Sequence, residues 1–221
     1  HYAALVGVKR TLENPVSVLQ DFNAINNIFC LARDYKVNKI FYSSSSEVYG
    51  DSVYYPQEED STPINSKLPY AVMKNVGESF CRSFKQEFNL DYTIFRFFNT
   101  YGPRQSEDFV ISKFLAAAKK NQDLTIYGDG SQARTFCFID DHIDATINSF
   151  DKNLFNNDVV NIGNNLETTI LDLAKLIIML TNSKSKIINL PPLKEGDMMR
   201  RQPDVKKMKS QSFNLFLNEN Y

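Results

Sequence analysis

At 221 residues, 43% hydrophobic and 23% charged, the chain is long enough to bury the core of one large domain or two small ones. Its 25 basic and 26 acidic residues leave a formal net charge of -1, which excludes a basic stripe for a nucleic acid, and no apolar run is long enough to span a bilayer. Cys30, Cys81 and Cys137 are odd in number and far apart, so they read as free thiols of a reducing cytoplasm, with no disulfide framework and no metal-ligand spacing.

In chain order, residues 16–35 have helical spacing, with Val18, Phe22, Ile25, Phe29 and Leu31 expected on the buried side. Residues 39–43 read as a short apolar strand. Residues 71–88 return to helical spacing with Val72, Val76, Phe80 and Phe84 on one stripe, and 92–98 form a second strand rich in aromatic and β-branched residues. Strand, helix and strand at these lengths predict parallel βαβ units, hence an open α/β sheet. Past Gly102 the spacing predicts a helix over 111–120, a strand over 124–127, a turn at Gly128-Asp129-Gly130-Ser131 and a strand over 136–139. Asp140 and Asp141 are expected to cap the next helix. A strand over 159–162 and an amphipathic helix over 170–180 follow. From Pro191 the chain is polar and basic, with Lys206, Lys207 and Lys209 expected on a solvated face.

Two features carry chemistry. The first is Ser43-Ser44-Ser45-Ser46-Glu47-Val48-Tyr49-Gly50, directly after a predicted strand. In open α/β sheets ligands bind outside the carboxyl ends of the strands, so hydroxyls there face the functional crevice. By themselves four serines describe only a polar loop. The second is Tyr70 and Lys74, four apart at the start of a helix and therefore on one face. A free tyrosine, with a pKa of about 10, is a poor base at neutral pH. Close positive charges favour its phenolate, and lowering the pKa by about three units takes roughly 4 kcal/mol. A chance surface pair gives the same spacing, so neither feature decides alone.

Together with further motifs they resemble the extended short-chain dehydrogenase/reductase family, and within it the nucleotide-sugar epimerases and dehydratases. The resemblance runs from His1-Tyr2-Ala3-Ala4 through Glu13-Asn14-Pro15, Asn23 and Pro69-Tyr70-Ala71-Val72-Met73-Lys74. It continues in Arg96-Phe97-Phe98-Asn99-Thr100-Tyr101-Gly102-Pro103-Arg104 and Tyr127-Gly128-Asp129-Gly130-Ser131-Gln132-Ala133-Arg134. It closes with Asn161-Ile162-Gly163 and Arg200-Arg201-Gln202-Pro203-Asp204.

That resemblance implies a Rossmann-like doubly wound parallel sheet, its N-terminal strands missing, with a smaller C-terminal substrate-binding lobe. Residues 1–104 and 136–165 would form the NAD-binding part, and 105–135 and 166–221 the lobe. It implies NAD as cofactor and a nucleotide sugar, a UDP-sugar by preference, as substrate. Tyr70 would be the base at the sugar 4-hydroxyl, with Lys74, Ser45, Ser46 and Glu47 completing the catalytic set. Ala3, Ser43, Tyr70, Lys74 and Phe97 would meet the cofactor. Asn99, Arg104, Tyr127, Arg134 and Arg201 would bind substrate, the arginines Arg134 and Arg201 suiting a diphosphate. No metal is implied. A homodimer through the helices at 16–35 and 71–88 is expected.

Glu47 stands where family dehydratases and decarboxylases carry a glutamate, so a UDP-glucuronate decarboxylase is an alternative. The Gly-x-x-Gly-x-x-Gly turn that cradles the cofactor's pyrophosphate is absent, and a segment of roughly 70 residues is expected to be lacking before His1. A third reading is therefore a nucleotide-sugar-binding fragment without turnover.

Overall fold

The computed structural model describes residues 1–192 and 198–210. The chain opens with three helices, α1 (Val8–Glu13), α2 (Pro15–Leu19) and α3 (Asp21–Asp34). Strand β1 (Lys39–Ser45) follows and runs into a 3-10 turn, Ser46–Tyr49. Next come α4 (Pro69–Phe88), β2 (Asp91–Phe97), β3 (Thr100–Tyr101), α5 (Val110–Lys119), β4 (Leu124–Tyr127), β5 (Ala133–Thr135) and β6 (Cys137–Phe138). The chain continues with α6 (Ile139–Asp151), β7 (Asp158–Ile162), β8 (Glu167–Thr169), α7 (Ile170–Leu180), β9 (Ile187–Leu190), β10 (Arg200–Arg201) and α8 (Lys206–Ser210).

The central sheet is parallel, in the order β1-β2-β7, with Ser45 opposite Phe97 and Phe97 opposite Ile162. Both faces are covered, as parallel strands require. Ile40, Tyr42, Tyr92 and Ile94 pack on one face under α3 and α4. The alternate residues Phe41, Phe95 and Phe97 pack on the other, with Ala145 of α6 and Met208 of α8. A second core joins Phe114 and Ala118 of α5, Leu124 and Ile126 of β4, and Leu173, Ala174 and Ile177 of α7. Small sheets β4-β9 and β10-β5-β8 frame that lobe.

Several expectations need correction. The helix expected over 16–35 is two helices, α2 and α3, meeting at Gln20, and Phe22 and Leu31 are exposed. Leu31 lies two residues from buried Phe29, about 200° round the helix, so one face cannot bury both. On α4 the deepest line is Ala71, Lys74, Gly77, Glu78 and Cys81, while Val72 is exposed. The aromatic stripe sits on the flank, where Phe80 and Phe84 meet Phe29. Asp140 and Asp141 lie inside the first turn of α6, whose cap is Phe138; they still oppose the positive end of the helix. Lys207 is half-buried on Asp158 rather than solvated.

Candidate active site

The site grows from the end of β1. Ser45 is extended, and its hydroxyl accepts the Glu47 amide at 3.2 Å, which starts the 3-10 turn, with Glu47 on the cavity wall. Gly50 closes that turn at φ 60, and a Cβ there would lie 2.7 Å from the Asn65 carbonyl oxygen, so only glycine fits. Helix α4 then begins with Pro69 at its first position, a placement that needs no amide hydrogen. Tyr70 falls in the first turn, facing Ser45, and Lys74 one turn on. The Lys74 ammonium donates to the Ser43 carbonyl at 2.7 Å and lies 5.7 Å from the centre of the Tyr70 ring.

Ser45, Glu47 and Tyr70 line a cavity of about 540 Å³ together with Phe97, Asn99, Thr100 and His142. Arg201, 5% exposed, is the single Lys or Arg among the described lining residues. It donates from Nη1 to Glu47 Oε1 at 2.8 Å and from Nη2 to Met198 Sδ at 2.8 Å, leaving Nε buried without a partner. Asn99 donates to the Thr135 carbonyl at 2.9 Å. His142 bonds through Nδ1 to the Thr100 hydroxyl at 2.7 Å, and its ring centre lies 4.9 Å from that of Phe97. Burial pulls the His142 pKa down to about 4, so the imidazole is neutral at physiological pH.

The electrostatics differ from the sequence expectation in one respect. Burial pushes the Tyr70 phenol up to about 12; a hydrogen bond with Ser45 and the charge of Arg201 oppose this, while Glu47 adds to it. The leading influences on the phenol do not include Lys74. Its ammonium is turned onto the Ser43 carbonyl, and burial lowers its own pKa to about 8.

Of the residues singled out from the sequence, Ser43, Ser45, Ser46, Glu47, Tyr70, Phe97, Asn99 and Arg201 line the cavity. Ala3 and Lys74 border a small adjoining cleft that also touches Tyr70. Arg134 pairs in register with Arg201 across β5 and β10, but it is not on the cavity wall. Arg104 is exposed with a positive φ of 67, and Tyr127 is exposed beneath Lys113; neither reaches the cavity. Tyr2, Thr100 and His142 line the cavity without having been singled out. His142 had one usable signal, as one of only two histidines in the chain, just after a predicted strand.

The profile of the NAD dependent epimerase/dehydratase family matches residues 1–163. The chain is 36% identical over 223 residues to a UDP-N-acetyl-alpha-D-glucosaminuronate decarboxylase of Bacillus cytotoxicus, covering 95% of this chain and 68% of that protein. It is 36% identical over 216 residues to a putative UDP-glucose 4-epimerase of Methanocaldococcus jannaschii, covering 95% of this chain and 69% of the relative. Among solved structures, the UDP-N-acetylglucosamine 4-epimerase of Methanobrevibacter ruminantium, in complex with UDP-N-acetylmuramic acid, superposes with a TM-score of 0.89 at 31% identity. That match covers 96% of this chain and 69% of the other.

Proposed function

Because the chain belongs to the NAD-dependent epimerase/dehydratase family, we propose that it oxidises the sugar of a UDP-sugar at C4, as a 4-epimerase or 4,6-dehydratase. The observation that carries this is the meeting of Tyr70, Lys74 and Ser45 at one strand end, Tyr70 and Ser45 on the wall of a cavity large enough for a sugar and Lys74 in the cleft beside it. Tyr70 takes the proton of the sugar 4-hydroxyl, and Ser45 hydrogen-bonds the same oxygen. Arg201 and Asn99 hold the diphosphate, with Arg134 beside Arg201 and with Arg104 and Tyr127 toward the nucleotide.

The residues present fit the nicotinamide end of NAD. Among the described residues the Lys74 ammonium has one acceptor, the Ser43 carbonyl, and it borders the cleft with Ala3, so further N–H groups are free for ribose hydroxyls. Phe97 supplies an apolar wall. When bound, NAD supplies the hydride acceptor. The test is to incubate the full-length protein with NAD and a panel of UDP-, GDP- and dTDP-sugars and to identify the products. A UDP-sugar inverted at C4, or dehydrated, is expected; failure to turn over any of them defeats the proposal.

The Glu47–Arg201 pair favours a second reading, UDP-glucuronate decarboxylation, since a guanidinium at the sugar suits a carboxylate. Glu47→Gln is expected to lower turnover by about 100-fold, as loss of an acid–base group does. Unchanged turnover would assign simple 4-epimerisation. Among the described residues no helix is long and apolar enough to cross a membrane. We assign the protein to the cytoplasm on its three free cysteines. We also propose a homodimer through α3 and α4, which expose Phe22, Leu31, Val72 and Phe88. Sedimentation velocity should return twice the chain mass, and a monomer at micromolar concentration would dismiss this interface.

A further inference from the structure

Behind the serine-rich strand end lies a buried ionic network that the proposed chemistry does not use. Tyr70, Lys74 and Glu78 follow at intervals of four on α4, so they share one helical face. Each meets a different residue at the end of β1. Glu78 Oε1 accepts from the Ser44 hydroxyl at 2.6 Å, Lys74 donates to the Ser43 carbonyl at 2.7 Å, and Tyr70 shares the cavity wall with Ser45. Glu78 is fully buried, and its two oxygens accept Nε and Nη2 of Arg96 at 2.9 and 2.8 Å in a two-point fork. Arg96, itself 1% exposed, donates from Nη1 to the Tyr49 hydroxyl at 2.9 Å and the Glu59 carbonyl at 3.1 Å. Tyr49 in turn donates to Asn161 at 2.8 Å.

Burial works against a charged Glu78, yet bonds from Arg96 and Ser44 and the charge of Arg82 keep its carboxyl below the usual range. Apolar residues would pack a helix on a sheet at least as well as a buried ion pair. What the pair adds is direction: a fork fixed at two points resists both sliding and rotation of α4 against β1. Because side chains alternate along a strand, Ser44 faces α4 while Ser45 faces the crevice, and the backbone couples them.

We propose that Glu78, fixed by Arg96, is a positioning residue that acts through Ser44 to hold the end of β1 where Ser45 reaches the Tyr70 phenol. This rests on the roles given to Tyr70 and Ser45 under the proposed function. A misplacement of about 1 Å in such a pair costs on the order of 100-fold in rate.

The test uses the full-length protein with NAD. Ser44→Ala removes one hydroxyl and leaves the Glu78–Arg96 fork in place. Its kcat is expected to fall about 10- to 100-fold with KM unchanged. Ser44→Thr, which restores a hydroxyl, should recover most of the loss. The double variant Glu78→Leu/Arg96→Met replaces the fork by apolar groups; it is expected to melt cooperatively and to show the same loss of kcat. Wild-type kcat in either the alanine or the double variant overturns the inference. A readout free of turnover separates this from the functional reading. The Tyr70 ionisation, followed by ultraviolet difference against Tyr70→Phe protein, should move to higher pH in Ser44→Ala. An unmoved ionisation rejects the positioning role whether or not any sugar is converted.

Discussion

Tyr70→Phe is expected to lower kcat by about 1000-fold, within the range for loss of a general base, while costing no more than about 1 kcal/mol of stability. The ring is packed against Met73, Tyr42 and the other buried residues of the core beneath α4, and phenylalanine keeps that packing. What is lost is the phenol oxygen on the cavity wall beside Ser45. KM should hold steady, because the groups proposed to bind the diphosphate, Arg201 and Asn99, stand elsewhere on the cavity wall. In the chain alone burial lifts the phenol to about 12, so it is protonated there at neutral pH; kcat of the wild type should climb with pH as the phenol of the loaded enzyme ionises. In the variant that climb should vanish. Parallel measurement of product formation and thermal melting checks both halves, and a variant retaining a tenth of wild-type kcat would refute Tyr70 as the base.

The parts of this site that were legible in the sequence are those written in consecutive or helically spaced residues. Ser43 to Gly50 runs out of the end of a strand that Ile40, Phe41 and Tyr42 announce, and Tyr70 and Lys74 sit one turn apart on a helix opened by Pro69. Register within the parallel sheet then brings the two segments together. Contacts between distant residues were not legible. Arg201 reaches Glu47 across 154 residues, and nothing in either segment names the other. Glu78 and Arg96 look like ordinary surface charges on a helix and a strand, since composition treats charge as exposed. Their burial misplaced the apolar stripe of α4 as well: the pattern 72, 76, 80, 84 is periodic, but the polar line through Lys74 and Glu78 lies deeper. The rise of the Tyr70 phenol in the chain alone was not legible for a related reason, because the proximity of an ammonium was weighed and the burial of the phenol itself was not.

That desolvation gives the second large effect. Lys74→Met is expected to abolish turnover and yet to stabilise the cofactor-free protein at pH 7 by about 2 kcal/mol. Burial lowers the lysine from its ordinary 10.5 to about 8, so the unfolded chain holds this proton more tightly than the folded one. The sign follows from linkage: the cost to stability is complete below pH 8, shrinks as pH rises from about 8 to 10.5, and is gone above that. A shift of this size corresponds to about 3 kcal/mol, from which the lost bond to the Ser43 carbonyl subtracts about 1 kcal/mol. Methionine fills a similar volume and carries no charge. The variant should therefore melt about 4 to 8 °C above wild type at pH 7, and the gap should close by pH 10. A gap that is absent at pH 7, or that does not change with pH, would mean that the ammonium is not held against its preference. Since the fold would be more stable without it, its place beside Tyr70 and Ser43 is explained by what it does there: an ammonium kept in the core is a ready donor and cation for whatever binds at the strand end.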